Sequence, residues 1–228
     1  MIPSSGGWAL LHSGEPSVTV LQRDELLTQS TDESTIWVTN LPLGLEEVEI
    51  WRPCDQKLRK LLDDSDGQWV VPPPVKLLLT APSFVEANML YLEQVGQELS
   101  VATWALVPGV RRIREWARNQ SGLKERLYQC HPERILMNLN GQKIFQHPGT
   151  RRGLRHRLDL LSEHGEVWAN LYRDTKEQYR RNEIEEIEIL HLLTLAHGAA
   201  RIAEGEGQTI PESPGRDSEG YSMSIHDV

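Results

Sequence analysis

The chain has 228 residues, of which 39% are hydrophobic and 25% charged, and its net charge is −9. This length suffices for one large domain with a sizeable core, and the composition is that of an ordinary globular protein. No apolar run approaches the roughly 20 residues of a membrane helix, and residues 1–17 lack the basic start and apolar core of a secretory signal. Two distant cysteines without a CxxC spacing indicate neither a zinc site nor a disulfide framework, so we expect a cytoplasmic protein without membrane contacts.

The first third of the chain reads as strands and one helix. The segments GWALLH and SVTVLQ flank turn residues and predict a hairpin. The segment STIWVTNLPLGL, residues 34–45, predicts a strand buried on both faces, because its centre does not alternate with polar residues. The segment WRPCDQKLRKLLDD predicts a helix with Pro53 near its start and an apolar stripe of Leu58, Leu61 and Leu62. The three prolines of VVPPPVK predict a rigid loop.

Helices dominate the remainder of the chain. The segment SFVEANMLYLEQVG carries a capping box that starts at Ser83, and Gly96 ends the helix. The segment GVRRIREWARNQSG predicts a second helix with Ile113 and Trp116 near one face, and GTRRGLRHRLDLLSEHG predicts a third. The segment NEIEEIEILHLLTLAHGAARIAEG is the longest and most apolar, which predicts a core helix.

One strand returns among these helices. In LYQCHPERILMNLNG, residues 127–141, a strand-like run ends before the proline. The tail, residues 204–228, has turn residues followed by a short alternating strand from Tyr221 to Ile225. Early strands, later helices and one returning strand predict a single α/β domain over residues 1–228, with a central mixed β-sheet flanked by α-helices.

Positive charge is concentrated in one segment of this acidic chain. Residues 111–157 contain 12 Lys and Arg against 3 Asp and Glu, a local charge of +9, so the remainder carries −18. Clustered arginines predict a face that binds the phosphates of nucleic acid or of a nucleotide. The alternative is a solvated helix whose arginines pair with acidic neighbours. The candidate nucleic-acid contacts are Arg111, Arg112, Arg114, Arg151 and Arg152.

Several short motifs occur in a specific order: GGW after a first strand, LPLGL, RPCDQKLRKLL, CHPE, and DSEGYSMSI after a late helix. Together they resemble the domain-of-unknown-function 429 family, regarded as predicted RNase H-like nucleases, over nearly the whole chain. The resemblance implies an RNase H-like fold. Active forms of that fold cut phosphodiesters with two divalent ions held by carboxylates, because paired cations stabilise both the attacking and the leaving oxygen.

The chain departs from this family at three positions where carboxylates are implied. An Asp on the first strand is replaced by Ile2, an Asp before LPLGL by Asn40, and a Glu before the HPE triplet by Gln129. An amide keeps the shape of a carboxylate but lacks the charge that attracts a dication. These departures imply a catalytically degenerate member without a cofactor, in which magnesium or manganese has a place only if the chain is an active nuclease.

Other residues match the family pattern. His131 and Glu133 look like retained site residues, and His131 has the chemistry to orient a phosphate or donate a proton. The alternative is structural: His131 bonds a neighbouring loop, and Glu133 caps a helix that begins at Pro132. Arg52 and Asp55 also match the family, but at a spacing of three they can equally form a local ion pair.

The longest helix offers further acidic residues. The resemblance implies acidic residues there, but dipole compensation in solvent explains acids in a first turn equally well. Glu188 and His191 form an ExxH pair, which is either a metal ligand pair or an acid beside a core histidine. The acidic residues in question are Glu183, Glu185, Glu186 and Glu188.

Three functions remain open from the sequence. The first is a degenerate RNase H-like protein that still binds nucleic acid or a nucleotide. The second is an active metal-dependent nuclease, and the third is a structural or protein-interaction role; the oligomeric state is open in each. An inherited site requires that Asn40, Gln129, His131, Glu133 and a glutamate of the longest helix share one pocket.

Overall fold

A computed structural model describes residues 1–12, 14, 16–22, 24–29, 31–63, 69–144 and 146–228. The described residues form an α/β protein, as predicted, with strands that are mostly early and helices that are mostly late. The strands are β1 Ile2–Ser4, β2 Gly7–Leu11, β3 Val18–Leu21, β4 Trp37–Thr39, β5 Leu127–Gln129, β6 Gln208–Ile210 and β7 Ile225–Asp227. The helices are α1 Pro53–Leu61, α2 Phe84–Val95, α3 Val101–Arg118, α4 Leu123–Arg126, α5 Pro132–Asn140, α6 Arg151–Glu163, α7 Glu166–Gln178 and α8 Glu186–Ala203.

The strands pair in three small sheets, not in the single central mixed sheet that the sequence predicts. Strands β1, β2 and β3 form an antiparallel sheet, β4 pairs with β5 in parallel, and β6 pairs with β7 antiparallel. Strands β4 and β5 have three residues each, which leaves little ladder for further pairing. The first two sheets are nevertheless adjacent, because the amino group of Met1 donates to the carbonyl of Val38 at 2.6 Å.

The predicted hairpin and the predicted buried strand are confirmed. In the hairpin, Trp8 lies opposite Leu21 in the pairing of β2 with β3. All three residues of β4 are buried, which agrees with a strand covered on both faces. The tail strand is placed wrongly by the sequence, because Asp217 accepts hydrogen bonds from the backbone of Glu219 and Tyr221 and holds this segment in a turn. The strand therefore begins only at Ile225.

Helix boundaries follow local capping signals where these exist. Ser83 accepts from the backbone N–H of Glu86, and Gly96 ends α2 in the left-handed conformation, both as predicted. Helix α3 begins earlier than predicted, because Ser100 caps it and Pro108 lies inside the helix without ending it. The other correction concerns the stripe of α1, in which Leu58 and Leu62 are buried but Leu61 is 38% exposed.

Two packed clusters place the elements that carry the site. Helix α8 buries a continuous apolar face, which includes Leu190 and Leu193, against the first strands and against α5 and α6. Helix α3 buries Trp116 edge to face against Trp37 of β4, with ring centroids 4.9 Å apart. As β4 and β5 run in parallel with Thr39 beside Gln129, their carboxyl ends open at the same edge.

A polar pocket at the ends of two parallel strands

The residues after β4 and β5 line one cavity of about 290 Å³. Asn40 follows β4, Gln129 ends β5, and His131 and Glu133 come from the turn into α5, so the pocket contains all four predicted residues. The parallel pairing explains this convergence, since polar residues at the ends of neighbouring parallel strands meet in one crevice. Whether they act catalytically stays a prediction.

Helix α1 contributes a buried ion pair to the floor of the pocket. Arg52 donates from Nε and Nη2 to both carboxylate oxygens of Asp55, at 2.7 and 2.6 Å. The local ion pair considered from the i, i+3 spacing is thus present, and Arg52 is only 1% exposed. Burial alone would lower the pKa of Arg52, but the Asp55 carboxylate outweighs it and raises that pKa. Arg52 also donates to the carbonyl of Gly44 and to Oε1 of Gln129.

A second buried pair fixes Glu133. Arg157 of α6 donates from Nε and Nη2 to the two carboxylate oxygens of Glu133, at 2.8 and 2.6 Å. The Arg157 side chain is fully buried, and its Nη1 donates to the carbonyls of Gln146 and Gly153. Burial opposes ionisation of Glu133, but its contacts with His191 and Arg157 prevail and lower its pKa to about 2. Glu133 is therefore a paired carboxylate, and it does not cap the helix that begins at Pro132.

Two histidines complete the polar wall. Nε2 of His131 lies 3.1 Å from the carbonyl of Trp69, so the bond to a neighbouring loop that was the structural alternative for this residue is present. Burial lowers the pKa of His131, so the ring is neutral near pH 7. Nε2 of His191, from α8, lies 3.7 Å from Oε1 of Glu133, beyond hydrogen-bond distance.

The side chains at the three positions that depart from the family pattern are uncharged, and each has buried atoms. Ile2 is 2% exposed and pairs with Ala9 in the antiparallel sheet. Oε1 of Gln129 accepts from Arg52, and Oδ1 of Asn40 is buried without a hydrogen-bond partner among the described residues.

The donor set does not fit a magnesium pair. Hard dications need several free anionic oxygens, whereas Asp55 and Glu133 each give both oxygens to a guanidinium. Within the described ranges, no group of three His, Cys, Asp or Glu side chains is placed to hold a metal ion.

The acidic residues of the last helix lie outside this pocket. Glu185 and Glu188 form a capping box at the start of α8, and Glu188 also accepts from Ser5. The ExxH pair therefore splits, because His191 lines the pocket and Glu188 does not. The remaining two have local partners: Glu183 accepts from the backbone of Arg180, and Glu186 from Tyr172 and Lys176.

The three arginines of α3 that were predicted to contact nucleic acid bind partners within the protein. Arg114 is 1% exposed, pairs with Asp217 at 2.6 Å and lies over the Tyr221 ring at 4.2 Å, so the prediction that it contacts nucleic acid is wrong. Its position explains this, since it lies on the apolar face of α3. Arg111 donates to backbone carbonyls of the preceding loop, and Arg112 pairs with Asp24 and Glu115.

The arginines predicted on α6 are different. Arg151 and Arg152 are exposed in the first turn of α6, beside Arg155, around a second and more open cavity. Neither has an ion-pair or hydrogen-bond partner in the part of the chain that the structure describes. The basic segment thus contains buried arginines that stabilise the fold, such as Arg114, and exposed ones, of which Arg151 and Arg152 have no partner among the described residues.

Sequence reasoning missed Arg157 as a site residue. Arg157 lies three residues after Leu154 and four before Leu161, on the apolar face of its helix. A charged residue in an apolar stripe was the signal, because such a residue must find a buried partner.

Comparison with known proteins supports the resemblance seen in the motifs. Residues 3–216 match the family described as "Protein of unknown function (DUF429)". No curated protein and no solved structure matches the chain. Among the described helices, none combines the length and apolar character that crossing a membrane requires.

Proposed function

We propose that the chain, which belongs to the DUF429 family, is a non-catalytic RNase H-like protein that retains nucleic-acid binding. The observation that carries this proposal is the pair of buried bidentate ion pairs, Arg52 with Asp55 and Arg157 with Glu133. Guanidinium groups bond both oxygens of the two carboxylates that remain in the pocket, so neither is free to hold a metal ion.

The RNase H-like fold is supported by the placement of the family-matched residues. Asn40 and Gln129 lie side by side at the carboxyl ends of β4 and β5, where the family pattern implies metal-binding carboxylates. The antiparallel sheet abuts this parallel pair through the Met1 to Val38 hydrogen bond, which would make one mixed surface. Helices lie against the strands, as in the fold that the motifs imply.

Loss of catalysis follows from charge. Each replacement of a carboxylate by a neutral side chain at Ile2, Asn40 and Gln129 removes one attraction for a dication. At 4 Å and an effective dielectric constant of 20, the attraction between two unit charges is about 4 kcal/mol before desolvation, and a dication doubles it to about 8 kcal/mol. The two carboxylates that remain would have to give up buried pairs, and breaking such a pair costs about 3–5 kcal/mol.

Retained nucleic-acid binding would depend on Arg151 and Arg152. Both are exposed, both lie in the first turn of a 13-residue helix, and the helix dipole adds positive potential there. Arginines in such a position suit sequence-independent contacts with phosphates.

A cleavage assay tests the first half of this proposal. The purified chain is incubated with single- and double-stranded RNA and DNA in magnesium or manganese, with Glu133→Gln as the matched control. We expect both proteins to cleave at the same background rate. Metal-dependent cleavage by the unmodified chain that Glu133→Gln abolishes would show an active nuclease.

A protein-interaction role is the second candidate, favoured by an apolar stripe on α2. Val85, Met89 and Leu92 recur at i, i+4 and i+7, and are 68%, 67% and 50% exposed. Its simplest form, self-association, is measured by sedimentation of the unmodified chain and of Met89→Ser. A concentration-dependent dimer that Met89→Ser removes supports this role, and a monomer at all concentrations rejects self-association.

A further inference from the structure

The charges at the pocket cancel. Arg52 and Arg157 each donate two hydrogen bonds to one carboxylate, and both donate further N–H groups to backbone carbonyl oxygens. A phosphate or a dication would have to displace one of these buried partners and leave the other charge buried and unpaired, which is strongly unfavourable. An uncharged ligand meets no such obstacle.

Hydrogen-bonding groups nevertheless remain at the pocket. Among the described residues, Oδ1 of Asn40 and Nδ1 of His131 are buried without a partner. Since Nε2 of His131 donates to a carbonyl, Nδ1 of the neutral ring carries a lone pair and is an acceptor. The amide groups of Asn40 and Gln129 supply N–H donors. A buried acceptor without a partner is unfavourable, so a ligand N–H that reached it would be favoured.

The remaining walls are mostly apolar. Trp69 and the rigid prolines Pro42, Pro73 and Pro148 contribute to them, together with the aliphatic side chains of Leu58, Val70, Val71 and Leu106. Apolar walls with a few converging polar groups are typical of small-molecule sites. The volume of about 290 Å³ lies at the lower end of the range for such pockets, which suits a single ring. An indole face favours stacking with a planar partner.

We propose that this pocket binds a small, uncharged, planar heterocycle that carries both N–H and C=O groups. The ring lies between the Trp69 side chain and the proline walls, its N–H group donates to Asn40 or His131, and its carbonyl accepts from an amide. This binding site is separate from the exposed arginines of α6 and does not depend on their contact with nucleic acid.

Two matched pairs of probes test the charge and the ring together. Uracil and nicotinamide are the neutral probes, and orotate and nicotinate are the same rings bearing a carboxylate. Each is titrated into the full chain by ligand-observed saturation-transfer NMR and calorimetry at pH 7. We expect at least one neutral probe to bind with a Kd below about 1 mM, and its anionic twin to bind at least about tenfold more weakly.

A variant locates the binding in this pocket. Asn40→Leu keeps the branched shape of the side chain but removes both hydrogen-bonding groups, and we expect it to weaken binding of the neutral probe about tenfold or more. The matched control is Asn182→Leu, at an exposed amide before α8, which should leave the affinity unchanged. Circular dichroism of both variants shows that the fold is intact.

Three results would each overturn the inference: no binding of either neutral probe, equal affinity for a neutral probe and its anionic twin, or an unchanged affinity in Asn40→Leu. None of these results tests the proposed absence of nuclease activity, because a chain that does not cleave nucleic acid and does not bind these rings still agrees with the proposed function.

Discussion

Replacing Arg157 with Met should destabilise the protein strongly, because it leaves Glu133 charged and buried. The two side chains are 0% and 9% exposed and meet at 2.6 and 2.8 Å. Removing one partner of such a pair costs about 3–5 kcal/mol. The fall in the pKa of Glu133 from 4.5 to about 2 corresponds to about 3 kcal/mol of preference for the charged form, to which His191 and Arg157 both contribute. Against a total stability of about 5–15 kcal/mol, the loss is easily measured.

The same helix supplies the matched control. Arg155 pairs with Asp159 at 2.8 Å, but these side chains are 76% and 49% exposed, so Arg155→Met should cost about 0.5 kcal/mol or less. Urea unfolding followed by circular dichroism gives the free energy of unfolding for each variant. The double variant Arg157→Met with Glu133→Gln should recover part of the loss, because it removes the stranded charge. If Arg157→Met costs no more than Arg155→Met, the buried pair does not have the role assigned to it.

Three further predictions follow from the same contacts. The free energy of unfolding should fall as the pH drops from about 5 to 2, because the pKa of Glu133 is about 2 in the folded protein against 4.5 for the free side chain. Acid titrations followed by fluorescence measure this dependence, and Glu133→Gln should make it weaker. Asn40→Asp with Gln129→Glu should raise manganese affinity, measured by calorimetry, more than either change alone, but modestly, because Arg52 already bonds to residue 129. Arg151→Gln with Arg152→Gln should weaken binding of single-stranded DNA and lower the slope of log K against log salt by about 1 to 2, measured by filter binding; an unchanged slope rejects these contacts.

Local signals predicted local structure well. Ser83, Glu86 and Gly96 define the ends of α2 by capping geometry that involves only neighbouring residues. The sequence places the start of α3 after Pro108, whereas in the structure the helix continues on both sides of this proline. A proline inside a helix loses one backbone bond, and tertiary packing of the surrounding apolar face compensates for that loss.

The candidate site was predicted in part. Motif positions led to Asn40, Gln129, His131 and Glu133, and parallel pairing of two three-residue strands brings them together. The sequence does not reveal that an arginine 24 residues along the chain binds both oxygens of Glu133, because such a pair depends on how α5 packs against α6. The basic segment, residues 111–157, is a second example, because its net charge does not indicate which of its arginines are buried.

Helical periodicity would have resolved much of that ambiguity. Arg114 lies four residues after Val110 and three before Ala117, both of which are fully or almost fully buried. An arginine on such a face is a structural residue that needs a buried acid, and Asp217 provides it. Arg151 and Arg152, which precede the apolar stripe of their helix, are exposed. Sorting basic residues by helix face is therefore more informative than counting them.

The central claim is that the pocket carboxylates are held by guanidinium groups and are not free to bind metal ions. Titration of manganese into the unmodified chain, followed by electron paramagnetic resonance of the free ion, measures this most directly. We expect no saturable manganese site with a Kd below about 1 mM, and the same free-manganese signal for Glu133→Gln as for the unmodified chain. Two saturable sites that Glu133→Gln removes would contradict it.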